Sequence, residues 1–387
     1  MATILQNAQK ISAAIDDAYA ALADRLADIP AEKTATNLSA AVESITMTTD
    51  ELLEINKPAR DFVFKGDVVP ETEFAPGDLT AFIYPNRYTD AGAGSLFYKR
   101  GHIKTVKFNP DCDVQKAGCY QMFKDQTSLT DVKSLPAGNL SAGAFSNMFN
   151  GCTNLTSVAD LSARSANVGT FNAMLSGCTS LRTPPALPKP FAIPQRVFRS
   201  MFAGCTSLTS APELPTATPS YDAYHDMFNG CTSLSTPPAV PTRLSPDSSN
   251  ASTACYQSMF FGCTALTSIP DMTAMYVGAN QQAMDRMFQG CTSLSGEVTI
   301  GFTSDNTEVP MYLMRSMFTG CDNLTKIVLD FSSLAAVIPL KSTNAVQVVG
   351  TATATDPRVE IRVPAALEES WKAASNWATF AERIVGV

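Results

Sequence analysis

The sequence predicts an α/β solenoid, a chain wound into stacked units of similar shape, and three observations predict it. The string Met-Phe-x-Gly-Cys-Thr-x-Leu stands at residues 148–155 and returns, with small changes, from Met174, Met201, Met227, Met259, Met287 and Met317; a first copy at Met122 lacks the Gly and the Cys. Successive Met positions are 26, 26, 27, 26, 32, 28 and 30 residues apart, enough for one helical turn and one short strand per unit. Each copy then runs into an extended piece such as Leu208-Thr209-Ser210-Ala211-Pro212-Glu213-Leu214, with an apolar residue at every third place.

Residues 1–57 read as a helical assembly segment. Between residues 3 and 29 there is no Gly or Pro, and Ile4, Ala8, Ile11, Ile15, Ala18, Leu22 and Ile29 keep the 4–3 spacing of a coiled-coil seam, broken only at Arg25. Ile at both seam positions favours trimers, so self-association into a homo-oligomer is expected through residues 1–29; the alternative is an amphipathic helix lying on its own domain. Pro30 ends that helix, Leu38, Val42 and Ile45 share one face of a second, and Thr48-Thr49-Asp50-Glu51 has the capping-box pattern ahead of Leu52-Leu53.

Residues 58–118 have a different texture. Asp61-Phe62-Val63-Phe64, residues 80–84 and Thr105-Val106-Lys107-Phe108 read as strands separated by Pro and Gly turns, so a small β-rich N-terminal cap is expected.

Residues 119–335 hold eight units of the solenoid. Three residues before each Met stands Cys119, Phe145, Phe171, Phe198, Tyr224, Tyr256, Met284 or Met314. Positions i, i+3 and i+4 share a helix face, so each unit is expected to contain a helical turn, closed by a Gly that tolerates positive φ. The Pro that follows limits each strand to a few residues. If the first and fourth strand residues face inward, the third and fifth face outward on a concave sheet. That makes Asp131, Lys133, Thr183, Pro185, Ser210, Pro212, Thr236, Pro238, Ser268, Pro270 and Lys326 the candidate ligand contacts. Between Met201 and Pro241 the only charged residues are Glu213, Asp222 and Asp226, leaving Ser, Thr, Pro and Tyr to meet a ligand by hydrogen bonding and stacking.

Residues 336–387 form the C-terminal cap that an array needs over its last unit. Val359-Glu360-Ile361-Arg362-Val363 alternates as a strand, Pro364 suits the first turn of a helix, and Trp371, Trp377, Phe380 and Ile384 are expected to pack on the last repeat.

Composition narrows the function. Charged residues make up 17% of the 387, the net charge is −8, and no run of Lys or Arg exceeds Lys99-Arg100, so neither nucleic acid nor a membrane surface is an expected partner. No stretch reaches the ~18 apolar residues of a membrane span. With two His and no Cys-x-x-Cys, Walker loop or Gly-x-Ser-x-Gly elbow, no metal site, cofactor or catalytic residue is assigned and the chain is not expected to be an enzyme. Seven of the ten Cys occupy one repeat position, which implies a buried ladder of free thiols and no unique disulfide pairing.

The units, with Met-Phe-x-Gly-Cys-Thr-Ser-Leu leading into residues 208–215 and the variant Cys255-Tyr256-Gln257-Ser258-Met259-Phe260, resemble the BspA-like leucine-rich repeats of bacterial and phage surface proteins. The likeness covers residues 119–335, and it implies adhesion or recognition without naming a target. The helical N-terminus ahead of an array also resembles the attachment segments of phage fibre and decoration proteins. Residues 1–25 lack the apolar core of a secretory signal, which tilts the expectation toward a virion surface component made in the host cytoplasm. Such a component would be anchored to other virion proteins and would bind a host surface glycan or protein. The alternatives are a bacterial cell-surface adhesin, a purely structural virion protein, and an intracellular interaction scaffold.

Overall fold

The computed structural model describes residues 52–56, 61–65, 105–108, 114, 118–188, 193–243, 254–276, 282–303, 308–347 and 356–387. The self-association residues Ile4 to Ile29, the strand expected at 80–84 and His102 lie outside them. The described chain is a β-solenoid. Strands β1 (Leu52–Asn56), β2 (Asp61–Lys65), β3 (Thr105–Phe108), β4 (Asp131–Ser134) and β5 (Ser157–Val158) form one sheet in the order β2-β1-β3-β4-β5. Only the β1–β2 pair is antiparallel. Strands β6 (Met272–Tyr276), β7 (Gly296–Thr303), β8 (Leu324–Asp330), β9 (Val359–Val363) and β10 (Ile384–Gly386) form a second, wholly parallel sheet in the order β10-β9-β8-β7-β6.

Leu52 and Leu53, placed in a helix by the capping-box pattern, are in strand β1. Leu53 and Ile55 alternate with Glu54, a period-two pattern that suits pairing on both sides, with β2 and with β3. Segment 52–56 therefore belongs to the first sheet.

Proline explains why the sheet is in two pieces. Between β5 and β6 the extended segments carry Pro184, Pro185, Pro212, Pro237, Pro238 and Pro270, none of which has an N–H to donate. The ladder there shrinks to the bridge Ser210↔Thr236. Where the fifth place holds Lys133, Ala159, Val298 or Val328 instead, a strand forms or begins.

The expected helical turn is not a helix. From Gly143 to Gly151 every fourth residue (Gly143, Asn147, Gly151) has φ between +54° and +76°. The same step recurs at residues 169, 173 and 177 and in every later copy, ending at 312, 316 and 320. Alternate N–H groups are then used in two ways. Ser146, Met148, Asn150 and Cys152 donate three residues back, to Gly143, Phe145, Asn147 and Phe149. Phe145, Asn147, Phe149 and Gly151 donate sideways, to the carbonyls of Thr170, Asn172, Met174 and Ser176 in the next unit. An α-helix would direct all of these bonds inward along its own axis; here half of them join neighbouring units. The α/β expectation is thus corrected to a β-solenoid, and the one α-helix among the described residues is α1 (Glu368–Ala373), near the C-terminus.

The core is built in columns. Phe202, Phe228, Phe260, Phe288 and Phe318 stack at 5.5–5.6 Å between ring centroids with planes within 8° of parallel. Phe171, Phe198, Tyr224 and Tyr256 form a second stack at 5.7–5.8 Å. The seven motif Cys are free and buried, and each thiol donates to a carbonyl of the preceding unit. At the C-terminus Trp371 and Trp377 are fully buried against Phe331, at 5.3 and 5.4 Å. Pro364 caps a short 3-10 turn (Ala365–Leu367) ahead of α1, one place earlier than the first helical position.

Candidate recognition surface

Two surfaces repeat along the array, one on the extended segments and one on the turn segments. In the extended segments the burial sequence from the leading Leu is inside, out, out, half, inside, out, inside, as at residues 181–187, 208–214 and 234–240. Thr183, Ser210, Thr236 and Ser268 in the third place are exposed as expected, and so is Lys133. Asp131 and Lys326 are half-buried; Asp131 is ion-paired with Lys133, and Lys326 lies 3.0 Å from Glu360 and 3.9 Å from Glu297.

The fifth place corrects the expectation. Pro185, Pro212, Pro238 and Pro270 are all buried. Without ladder bonds these segments are not pleated as strands, and the apolar pyrrolidine ring turns into the core. Val298 and Val328 are buried for the simpler reason that β7 and β8 have their apolar residues inside. Exposed in their stead are the second and sixth places. The second is a further hydroxyl column, in which Thr156, Thr209 and Thr267 each donate to a carbonyl one unit back, at 3.0–3.4 Å.

The turn surface carries a feature that the strand-centred reading missed. The residue two places before each motif Met is polar through the array: Ser146, Asn172, Arg199, His225, Gln257, Asp285 and Arg315. Aligning the units on Met shows this column directly. It is the second signal in the sequence, beside the strand positions.

Two buried carboxylates organise the column. Asp222, with 3% of its side chain exposed, accepts from Arg199 Nη1 at 3.0 Å and Arg196 Nε at 3.4 Å through the same oxygen. Its other oxygen lies 3.3 Å from His225 Nδ1, while His225 Nε2 lies 3.1 Å from Asp226. Burial by itself would lower the His225 pKa, but the hydrogen bonds to Asp222 and Asp226 outweigh it and raise the value to about 9. Asp226 is held below the usual carboxylate range, against its burial, by His225 and Asn229. Two units on, fully buried Asp285 accepts from Gln257 Nε2 at 3.1 Å and from Arg315 through both oxygens, at 3.2 and 2.7 Å.

The motif thiols have no such chemistry. Burial pushes Cys152, Cys205 and Cys263 up to about 12, far from the range of a reactive thiolate. Among the described residues no group of three or more His, Cys, Asp or Glu is placed to hold a metal ion, and no helix is long and apolar enough to cross a membrane.

Columns of Leu, Phe, Met and Cys inside, with exposed hydroxyls on the extended segments and a polar row along the turns, define a leucine-rich β-solenoid. A solved leucine rich cell surface protein from Faecalibacterium prausnitzii A2-165 is similar to this chain at 16% identity, over 70% of this chain and 82% of that one, with a TM-score of 0.24. No protein-family model and no curated protein matches the chain. The fold assignment rests on the chain's own hydrogen bonds and core columns.

Proposed function

We propose that this chain is a non-enzymatic recognition protein, displayed on a virion or a bacterial cell, which holds a surface glycan or protein against the outer faces of its solenoid. The observation that carries this is the stepped row Ser157, Thr183, Ser210, Thr236 and Ser268, exposed hydroxyls one unit apart. Such a row is preorganised, because the turn segments are bonded unit to unit and the second-place Thr156, Thr209 and Thr267 tie their extended segments to the ones before, and it matches a ligand that is itself hydroxyl-rich and repetitive. In this reading the residues ahead of β1 serve assembly, as a trimer or as an anchor to a larger particle.

The test is binding of the labelled full chain to candidate host cells, before and after Thr183, Ser210, Thr236 and Ser268 are replaced together by Lys. Loss of binding with unchanged circular dichroism supports the reading. Undiminished binding removes the hydroxyl row from it. A native chain that binds no surface, in any assembly state seen by light scattering, leaves a structural virion role as the better account.

A further inference from the structure

We propose that Arg196, Arg199 and His225, drawn together by the buried carboxylate of Asp222, form a binding site for the carboxylate of an acidic sugar. This deepens the recognition reading above, on which it rests, and places the site on the turn segments, away from the hydroxyl row.

The site follows from the repeat. Arg196 and Asp222 occupy the same position in consecutive units, five residues before the motif Met; Arg199 and His225 both stand two before it. Sideways backbone bonds fix the two units on either side of Asp222: Arg196 N–H donates to Tyr221 at 3.0 Å, Phe198 to Ala223 at 3.0 Å, and Ser200 to His225 at 2.8 Å. Both arginines reach one oxygen of Asp222, so their donor nitrogens are held within a few ångströms of each other. The Arg196 guanidinium also lies over the Tyr221 ring, 5.1 Å from its centroid. Side chains that would otherwise wander are thereby ordered before any ligand arrives, which removes part of the entropic cost of binding.

Charge argues for an anion. With His225 protonated at neutral pH, as its environment favours, three cations face two carboxylates, Asp222 and Asp226. The surplus positive charge sits on a chain whose net charge is −8. About half of the Arg196 side chain and a third of that of Arg199 remain exposed, open to a planar anion that guanidinium groups match in geometry.

A sugar fits better than an acidic peptide. Protein partners are anchored by apolar and aromatic side chains entering a desolvated patch. Among the described residues the exposed large hydrophobics are Val168, Val385 and Val387, none of them in this cluster, whose flanks carry Ser200 and Asn229. Those groups suit the hydroxyls around a sugar carboxylate.

Calorimetry on the full chain, with sialyllactose, a glucuronate-containing tetrasaccharide, lactose and tetraglutamate as probes, tests the proposal. One of the acidic oligosaccharides should bind at least tenfold more tightly than lactose. The pair R196K/R199K, which keeps the charge beside Asp222 and so keeps the fold, should lose about tenfold. Asp222→Asn, read alongside its melting temperature, should lose severalfold, because the two arginines are no longer drawn together. Equal affinity for lactose and the acidic probes overturns the proposal, as does tighter binding of tetraglutamate or unchanged affinity in R196K/R199K. If these fail while cell binding is still abolished by Lys substitution of the hydroxyl row, the acidic-sugar site is lost and the recognition reading stands; if the native chain binds no cell, both fall.

Discussion

The thiol of Cys178 donates to the carbonyl of Phe149, one unit back, at 3.2 Å, and that same carbonyl already accepts the N–H of Cys152 at 3.1 Å. The side chain thus fills the second lone pair of a buried acceptor while packing as a small hydrophobe. Cys178→Ala removes both and should cost about 1–2 kcal/mol in a denaturant titration. Thiol labelling of the native protein should leave the motif cysteines unmodified until it unfolds; rapid stoichiometric labelling would contradict their burial.

Two glycines should fail for different reasons. Gly230 has φ +73°, and a Cβ there would meet Gly204 at an ordinary 3.8 Å, so Gly230→Ala carries only the left-handed backbone cost of about 1 kcal/mol. Gly301 has no such φ, but a Cβ would lie 1.9 Å from the Thr273 carbonyl oxygen, where the β6–β7 register shifts. Gly301→Ala should therefore lower the denaturant midpoint more, by upward of ~2 kcal/mol. Asp125 holds the motif Gly's place in the first copy at φ 59°, so Val at either 125 or 230 is strained.

The His225 pKa is raised above its ordinary 6.5, so protonation stabilises the folded state. That stabilisation is fully present below pH 6.5 and is lost as pH rises through about 9. The groups facing it are Asp222, Asp226 and Arg199, and the loss should be on the order of 3 kcal/mol at most. Melting temperatures between pH 6 and 10 should show a decline that His225→Gln flattens. Parallel slopes in the two proteins would place the titration elsewhere.

The two tryptophans are unequal. Trp377 Nε1 donates to the Ile338 carbonyl at 2.6 Å, whereas Trp371 Nε1 is buried without a partner. Trp377→Phe should destabilise more than Trp371→Phe by about 1 kcal/mol, since only the first orphans an acceptor. Thermal unfolding followed by the fluorescence of the remaining Trp checks the order.

How far the sequence revealed this molecule is clearest at Phe145, Met148, Phe149 and Cys152. Their spacing of i, i+3, i+4 and i+7 fits a helix of 3.6 residues per turn, and over two turns it fits a period of four equally well. The distinguishing sign was Gly143, Asn147 and Gly151, residues tolerant of positive φ at every fourth place, but later units put Ala173, Ser200 and Arg286 there, so no single copy announces it. The solenoid, the thiol column and the packing of Trp371 and Trp377 depended only on which residues repeat, and were legible. The burial of Pro212 was not, because it follows from the missing ladder bond and not from strand alternation. Arg199 and His225 stand out in the sequence as members of one column, but they are drawn together only through Asp222, whose burial no spacing displays.

The sideways bonds from Phe145, Asn147, Phe149 and Gly151 have a consequence for how such a chain can change. Each unit's outgoing donors are matched by acceptors at the same positions of any other unit, so a duplicated or deleted unit leaves every bond type intact. Spacings of 26 to 32 residues are accommodated because the motif positions set the register. Copy number is therefore a neutral dial for the backbone: the reach of the array, and the number of surface positions it offers to selection, can lengthen or shorten without a new fold being solved each time.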